Sequence, residues 1–227
     1  MVTLSTLVSC SSLEDNLPKP GESKGADGAQ QQIVEWPAAP EKARYRLSAV
    51  LVGEQTVTGK DTGSDTLSDL ARILTGLAIG ERKYKTLQRP PSGLTLDDGS
   101  VLVVDAGLKA LVRFDFAKKQ FAIWDQSGAN RGFKSPIAVV QDGEDGYLVS
   151  DSELARVVRL GKDGKPRGDF GAGVLTRPTG LARDPGSGAV YVADSVKHEV
   201  KKFSPSGELI ATIGGPGEAV GQFNAPP

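Results

Sequence analysis

From about Pro91 to the end of the chain, short apolar runs alternate with breaks rich in Gly, Asp and Pro. The last forty residues or so show the pattern well. Gly180–Arg183 is followed by Asp-Pro-Gly-Ser-Gly, and Val190–Ala193 comes next. Val200–Phe203 then meets Pro-Ser-Gly, and Leu209–Ile213 closes the series. Runs of four or five residues bounded by such breaks predict strands joined by hairpins. Gly supplies positive φ in these turns, and Asp folds onto its own backbone.

The pattern recurs. PSGLTLDDGSVLVVDAGLKALVRFDFAKKQFAIWDQSG is followed by PIAVVQDGEDGYLVSDSELARVVRLGKDGKPRGDFGAG and PTGLARDPGSGAVYVADSVKHEVKKFSPSGELIATIGG. The leading prolines are Pro91, Pro136 and Pro178, and a fourth unit opens at Pro226, at intervals of 45, 42 and 48 residues. The second apolar run of each unit ends in an aspartate: Asp105, Asp151 and Asp194. Each stands nine residues before a large apolar residue, Phe114, Leu160 and Phe203. A period of 40–50 residues with short strands predicts an all-β chain of four-stranded propeller blades. The first strand of each blade is expected nearest the axis, where Gly93, Ala138 and Gly180 fit a crowded centre.

Before residue 89 the pattern changes. Residues 11–32 hold only two large aliphatics, too few to offset their ordering entropy, and predict a flexible tether. As a coil it would span roughly 25 Å. Residues 33–88 predict one strand, Tyr45–Val52, and a short helix over 64–79. In the helix Leu67, Leu70, Ala71, Leu74, Leu77 and Ala78 share one face. Thr66 and Asp69 have the spacing of a capping box, and Gly76 or Gly80 ends the element. This helix is expected to pack on the domain and to cap the first blade. Three blades, with at most a degenerate one before them, make up half to two thirds of a six-bladed ring. The sequence therefore predicts an incomplete propeller, or one that a second chain completes.

Composition limits the chemistry. The 227 residues carry 27 basic and 28 acidic side chains, a net charge of -1. Nucleic-acid binding needs a basic footprint that this balance does not supply. No stretch is long and apolar enough for a membrane-crossing helix. A single cysteine excludes an intramolecular disulfide, and one Cys with one His cannot form the usual zinc sets. Any Ser–His–Asp triad would have to use His198, and there is no Gly-x-Ser-x-Gly elbow. No phosphate-binding glycine loop occurs. The sequence thus assigns no catalytic residue, no metal ligand and no cofactor. Calcium stays open, because Asp97-Asp98-Gly99, Asp142-Gly143-Glu144-Asp145 and Asp163-Gly164 offer oxygen ligands, but such Asp-Gly pairs are far more often turns.

Two resemblances extend this reading. Leu7-Val8-Ser9-Cys10 resembles a bacterial lipobox, although no basic residue precedes it and only nine residues stand before Cys10. It implies a lipid attached to Cys10, with residues 1–10 as the remnant of a signal and 11–32 as the tether. Ser11 after the cysteine implies sorting to the outer membrane. The third unit resembles an NHL repeat, through Pro178, Gly180, Ala182, Tyr191, Ala193, Asp194, His198, Phe203, Gly207, Gly221, Gln222, Phe223 and Asn224. Glu199 departs from the family's Arg, which Arg156 supplies in the second unit. The resemblance covers about 89–227 and implies a β-propeller, usually six-bladed. It makes Asp105, Asp151, Asp194 and His198 repeat-signature residues rather than a catalytic pair, with each Asp expected to accept N–H groups of the turn after the second strand.

The expected function is that of a binding or scaffold module of the bacterial envelope. Its propeller loops would take a protein or glycan partner, lipidated Cys10 would hold it to the membrane, and no nucleic acid is involved. Two alternatives stand beside this: a structural part of an envelope assembly, and a metal-dependent lactonase-like or lyase enzyme. Lactonase-like relatives use axial Glu, Asn and Asp ligands and the lyases several histidines. This chain has one His and three Asn: Asn16, Asn130 and Asn224.

Overall fold

The computed structural model describes residues 35–37, 41–47, 49–58 and 85–227. They belong to two units, divided between Ala49 and Val50.

Within the first unit β1 (Glu35–Trp36) pairs antiparallel with β2 (Tyr45–Arg46), with Trp36 opposite Tyr45. The strand expected over Tyr45–Val52 stops at Arg46. The run is apolar enough for a strand but has no sheet to join beyond that point. Its later residues serve the second unit instead. Val52 accepts the Leu87 N–H at 2.8 Å, and Gly53 bridges to Thr86.

The second unit opens with a single helical turn, α1 (Gln55–Thr58), which the sequence pattern does not announce. Thr56 Oγ1 accepts the N–H groups of Val52 at 3.1 Å and Gly53 at 3.3 Å, fastening its entry. The helix expected over 64–79 lies outside the described residues.

Three four-stranded antiparallel sheets follow, each pairing its strands in chain order. Blade 1 is β3 (Ser92–Thr95), β4 (Val101–Asp105), β5 (Ala110–Asp115) and β6 (Gln120–Trp124). A short ribbon, β7 (Gln126–Gly128) with β8 (Arg131–Gly132), leads on. Blade 2 is β9 (Pro136–Gln141), β10 (Gly146–Asp151), β11 (Arg156–Gly161) and β12 (Pro166–Phe170). Blade 3 is β13 (Pro178–Arg183), β14 (Val190–Asp194), β15 (Glu199–Phe203) and β16 (Leu209–Gly214). The described chain is thus all-β apart from α1, with blades opening at Ser92, Pro136 and Pro178. The first strands adjoin one another, β9 between β3 and β13.

The blades stack face on face, so each central strand buries both of its sides. This explains why runs such as Val101–Val104 and Tyr147–Val149 show no clean alternation. Leu102, Val104 and Leu111 of blade 1 share a core with Val139, Tyr147, Val149, Val158 and Leu160 of blade 2. Leu148 and Val157 of blade 2 share the next with Val190, Val192 and Phe203 of blade 3. Each such side chain contributes roughly 1.5–3 kcal/mol by leaving water. Two aromatics fix the stacking distance. Trp124 of blade 1 lies directly over Gly164 in the β11–β12 turn, and Phe170 of blade 2 over Gly207 in the β15–β16 turn, where an added Cβ would sit 2.6 Å from the Phe170 Cβ. Both glycines also have positive φ, +77° and +95°.

The two ends of the stack differ. On the outer face of blade 1, Val57, Leu51 and Leu87 cover Val103, Val112 and Phe114. Among the described residues the cap is α1 and its flanks. At the other end Leu209, Ile210 and Ile213 of β16 are exposed.

Candidate functional site

The three repeat aspartates are fully buried at the ends of β4, β10 and β14. Asp151 accepts four backbone N–H groups: Lys134 at 2.7 Å, Ser135 at 3.0 Å, Glu153 at 3.1 Å and Leu154 at 3.0 Å. Asp105 does the same with Gln88 (2.6 Å), Arg89 (3.1 Å), Gly107 (2.8 Å) and Leu108 (3.0 Å). Asp194 takes Thr176 (2.7 Å), Arg177 (3.1 Å) and Lys197 (3.3 Å). The Gly107, Leu108, Glu153, Leu154 and Lys197 donors belong to the turn after the second strand. The others belong to the segment entering the blade, and it is these that sequence reasoning missed. The aspartate clamps the incoming connection to the hairpin. No local spacing encodes that contact, since its partners lie 16–18 residues upstream. Burial raises the Asp105 pKa, but the N–H donors of Gln88, Leu108, Arg89 and Gly107 outweigh it and hold the carboxyl below its ordinary value.

Four residues after each clamp the backbone turns left-handed: Lys109 at φ 54°, Ala155 at 52° and His198 at 57°. His is among the residues that tolerate this region. His198 Nδ1 accepts the Ala225 N–H at 2.8 Å. Nearby, Thr179 Oγ1 donates to the Pro226 carbonyl at 3.3 Å. Hydroxyl-to-carbonyl bonds also link the earlier blades, from β3 in one case and from β10 in the other. Ser92 Oγ donates to Ile137 O at 2.8 Å, and Ser150 Oγ to Thr179 O at 2.6 Å. Pro226 thus lies beside β13 much as Ile137 lies beside β3. Phe223, like Phe133 and Leu175, stands three residues before the proline; it lies against Gly214.

At the opposite end of the sheets the charged turns converge. Arg113 pairs with Asp98 at 2.5 Å. Asp142 pairs with Arg159 of its own blade, and Arg183 Nε of blade 3 lies 3.3 Å from it. Arg159 also donates to the Pro205 carbonyl and lies over the Phe170 ring, so one guanidinium ties blade 2 to blade 3. At the clamp end of blade 2, where Arg156 stands opposite Asp151, Asp169 is held by Arg131 at 2.5 Å and Arg156 at 3.2 Å. Burial raises its pKa, and the contacts to Arg131 and Arg156 bring it below the usual value. A cleft of about 170 Å³ at the end away from the clamps is lined by Arg113, Asp115, Lys118, Trp124, Lys162 and Asp163 among others. An open depression beside it is lined by Glu144, Asp145, Lys162, Asp163 and Arg167. The acidic turns that could offer oxygen to a cation are thus largely engaged. Asp98 binds Arg113 and Ser100, and Asp142 binds Arg159. Among the described residues no three His, Cys, Asp or Glu converge as a metal set. Cys10 lies outside the described residues.

Residues 175–203 match the family model of the NHL repeat. The chain carries an NHL repeat. The match takes in β13, β14 and β15 with the Asp194 clamp and His198, and the two preceding units share the strand order and the clamp of this NHL repeat. Among solved structures the chain is similar to a catalytically inactive virginiamycin B lyase from Staphylococcus aureus with quinupristin. Identity is 16%, 61% of this chain and 47% of that one are covered, and the TM-score is 0.47. It is also similar to a chain of a nidogen/laminin complex, at 20% identity, 57% and 52% coverage and a TM-score of 0.43. A third is the calcium-binding protein regucalcin from Agrobacterium tumefaciens, at 16% identity, 53% and 43% coverage and 0.40. The chain spans about half the length of these structures.

Proposed function

We propose that the protein is a binding or scaffold module of the bacterial envelope. Its blades are a rigid platform, and the charged turns at their ends meet a protein or glycan partner. Lipid on Cys10 holds it to the membrane, with 11–32 as the spacer. The observation that supports a binding role is the use of the repeat aspartates. Asp105, Asp151 and Asp194 spend their carboxylate oxygens on backbone N–H groups, so the most deeply buried acids of the fold are engaged in architecture. An NHL repeat and its blades serve binding proteins and enzymes alike, and function lies in the turns. Those turns carry mixed charge around Lys118, Lys162 and Asp163, a surface suited to a polar partner.

The test uses the whole chain behind a complete signal peptide in a bacterial host. Partitioning into detergent is expected, with Cys10→Ser moving the protein to the aqueous phase. A Cys10→Ser protein that stays equally membrane-bound would refute the anchor. For the binding role, chemical cross-linking in intact cells is expected to recover an envelope component, and Lys118→Glu with Lys162→Glu to weaken its recovery. Divalent-metal-dependent lactone hydrolysis by the purified chain would contradict it.

A further inference from the structure

The two junctions between blades are built alike but closed differently. Blade 1 meets blade 2 along Gln120, Ala122 and Trp124, alternate residues of β6 that share one face; Phe121 and Ile123 on its other face belong to the cluster of Val57. Trp124 lies over Gly164 as Phe170 lies over Gly207. Arg113 and Arg159 hold corresponding places, each eight residues after its clamp aspartate. Their guanidinium groups are used differently. Arg159 reaches forward to the Pro205 carbonyl of blade 3, pairs with Asp142 and lies over the Phe170 ring, so it occupies the second junction. Arg113 turns back into its own blade, to Asp98 at 2.5 Å and Ser100 Oγ at 3.2 Å. The first junction keeps a cleft of about 170 Å³, to which blade 1 gives Arg113, Gln120, Ala122 and Trp124 and blade 2 gives Lys162 and Asp163.

The hydrogen bonds around this cleft leave donors over. Asp115 is engaged by Lys118, whose backbone N–H it accepts at 2.9 Å and whose ammonium it faces at 3.2 Å, and Asp163 accepts the Lys165 N–H at 3.1 Å. Among the described residues nothing pairs with Lys162 Nζ, Arg113 Nη1, the Gln120 side-chain amide or the indole N–H of Trp124. Unpaired donors in a cleft fit an acceptor-rich ligand, and Arg with Lys favours one that carries negative charge. The volume is well below the roughly 300–1,000 Å³ of a cofactor-sized site, so the cleft has room for one unit of a larger molecule. We propose that the cleft between blades 1 and 2 takes an acidic sugar unit of a glycan; this site rests on the binding role proposed above and narrows its partner. The carboxylate or phosphate of the sugar meets Arg113 and Lys162. Its ring hydroxyls meet the indole N–H of Trp124 and the Gln120 amide, which both donates and accepts. An acidic side chain of a protein would bring the anion without those hydroxyls.

Isothermal titration calorimetry of the full chain with glucuronate, glucose phosphate, glucose and the peptide Gly-Glu-Gly tests this. Trp124 emission in a Trp36→Phe background, where it is the sole indole, locates the site. At least one of the two acidic sugars is expected to bind saturably and to change that emission, and the tighter of them names carboxylate or phosphate as the anion. Glucose and the peptide are expected to bind at least about tenfold more weakly. Ala122→Leu, which puts bulk between Gln120 and Trp124, and Lys162→Glu are each expected to lower the affinity at least about tenfold with an unchanged melt. Lys202→Glu, the same charge change at the place in blade 3 that corresponds to Arg113, is expected to change it less than about twofold. The proposal is overturned if neither acidic sugar binds, if heat appears without a change at Trp124, or if glucose or the peptide binds as well. It is equally overturned if Ala122→Leu and Lys162→Glu fold and bind as the unaltered chain does. Such a failure, with recovery in cells still weakened by Lys118→Glu with Lys162→Glu, would remove the sugar cleft and leave the binding role. Acidic-sugar binding with no component recovered from cells would do the reverse.

Discussion

The Oδ2 atom of Asp151 accepts the backbone N–H of Lys134, seventeen residues earlier, at 2.7 Å. Its other oxygen holds Ser135 behind it and Glu153 and Leu154 ahead of it. One buried carboxylate thus satisfies four donors from two segments, which the bond from Ser152 N–H to the Ser135 carbonyl at 2.9 Å also joins. Removing the carboxylate leaves four part-buried donors without their acceptor. Asp151→Ala is therefore expected to cost about 3–5 kcal/mol in urea unfolding, and Asp151→Asn distinctly less because one oxygen remains. A loss below about 1 kcal/mol for the alanine variant would show that the clamp is incidental.

The clamp also sets an acid limit. Asp105 and Asp169 have folded pKa values below their unfolded ones. Burial opposes the shift in both, and backbone N–H groups in the first and Arg131 with Arg156 in the second overcome it. A depressed carboxylate stabilises the fold above its unfolded pKa, near 4, and loses that contribution as pH falls through the folded value. The urea midpoint is expected to be flat from pH 7 to about pH 5 and to fall below about pH 4. Asp105→Asn should unfold more easily throughout but show a shallower acid decline. An unchanged slope in that variant would contradict the assignment.

Ala155 and His198 occupy the same left-handed turn position in successive blades. Ala pays the steric cost there without return, so Ala155→Gly is expected to stabilise by up to about 1 kcal/mol. His198→Ala keeps the strain and loses the Nδ1 bond to Ala225, for a loss of about 1 kcal/mol, while His198→Gly loses less. Thermal melts of the three variants check the order. A large drop in any activity for His198→Ala, with the melt unchanged, would move His198 out of architecture.

Gly207 and Gly173 both have positive φ, +95° and +76°, but only Gly207 has Phe170 above it. Gly173→Ala carries backbone strain alone, about 1 kcal/mol. Gly207→Ala adds a collision with the neighbouring blade and is expected to cost at least about 2–3 kcal/mol. Equal losses would mean that the blades are not held at this spacing.

What the sequence revealed and what it concealed divide by range. The blades were legible because each is built from contacts within about forty residues, and the turn glycines, prolines and terminal aspartates mark them. The first strand of the third unit begins at Pro178, and the four strands found there match the four apolar runs within two residues at each end. The clamp's reach to Gln88, Lys134 and Thr176 was hidden, because only the stacked fold brings the connections onto the carboxylates. The Tyr45–Val52 strand failed for the same reason: an apolar run does not say which neighbour it will meet. Asp142 gave no sign of joining Arg159 and Arg183, whose sequence positions lie 17 and 41 residues on.

Native-state hydrogen exchange of individual backbone amides tests the clamp account most directly. The amides of Gln88, Arg89, Lys134, Ser135, Thr176 and Arg177 lie outside the strands yet point at buried carboxylates. They are expected to exchange as slowly as strand amides such as those of Val149 and Val158, and Asp151→Ala is expected to release Lys134 and Ser135 while Thr176 and Arg177 stay protected. Exchange of all six at the rate of exposed turns in the unaltered protein would contradict the account.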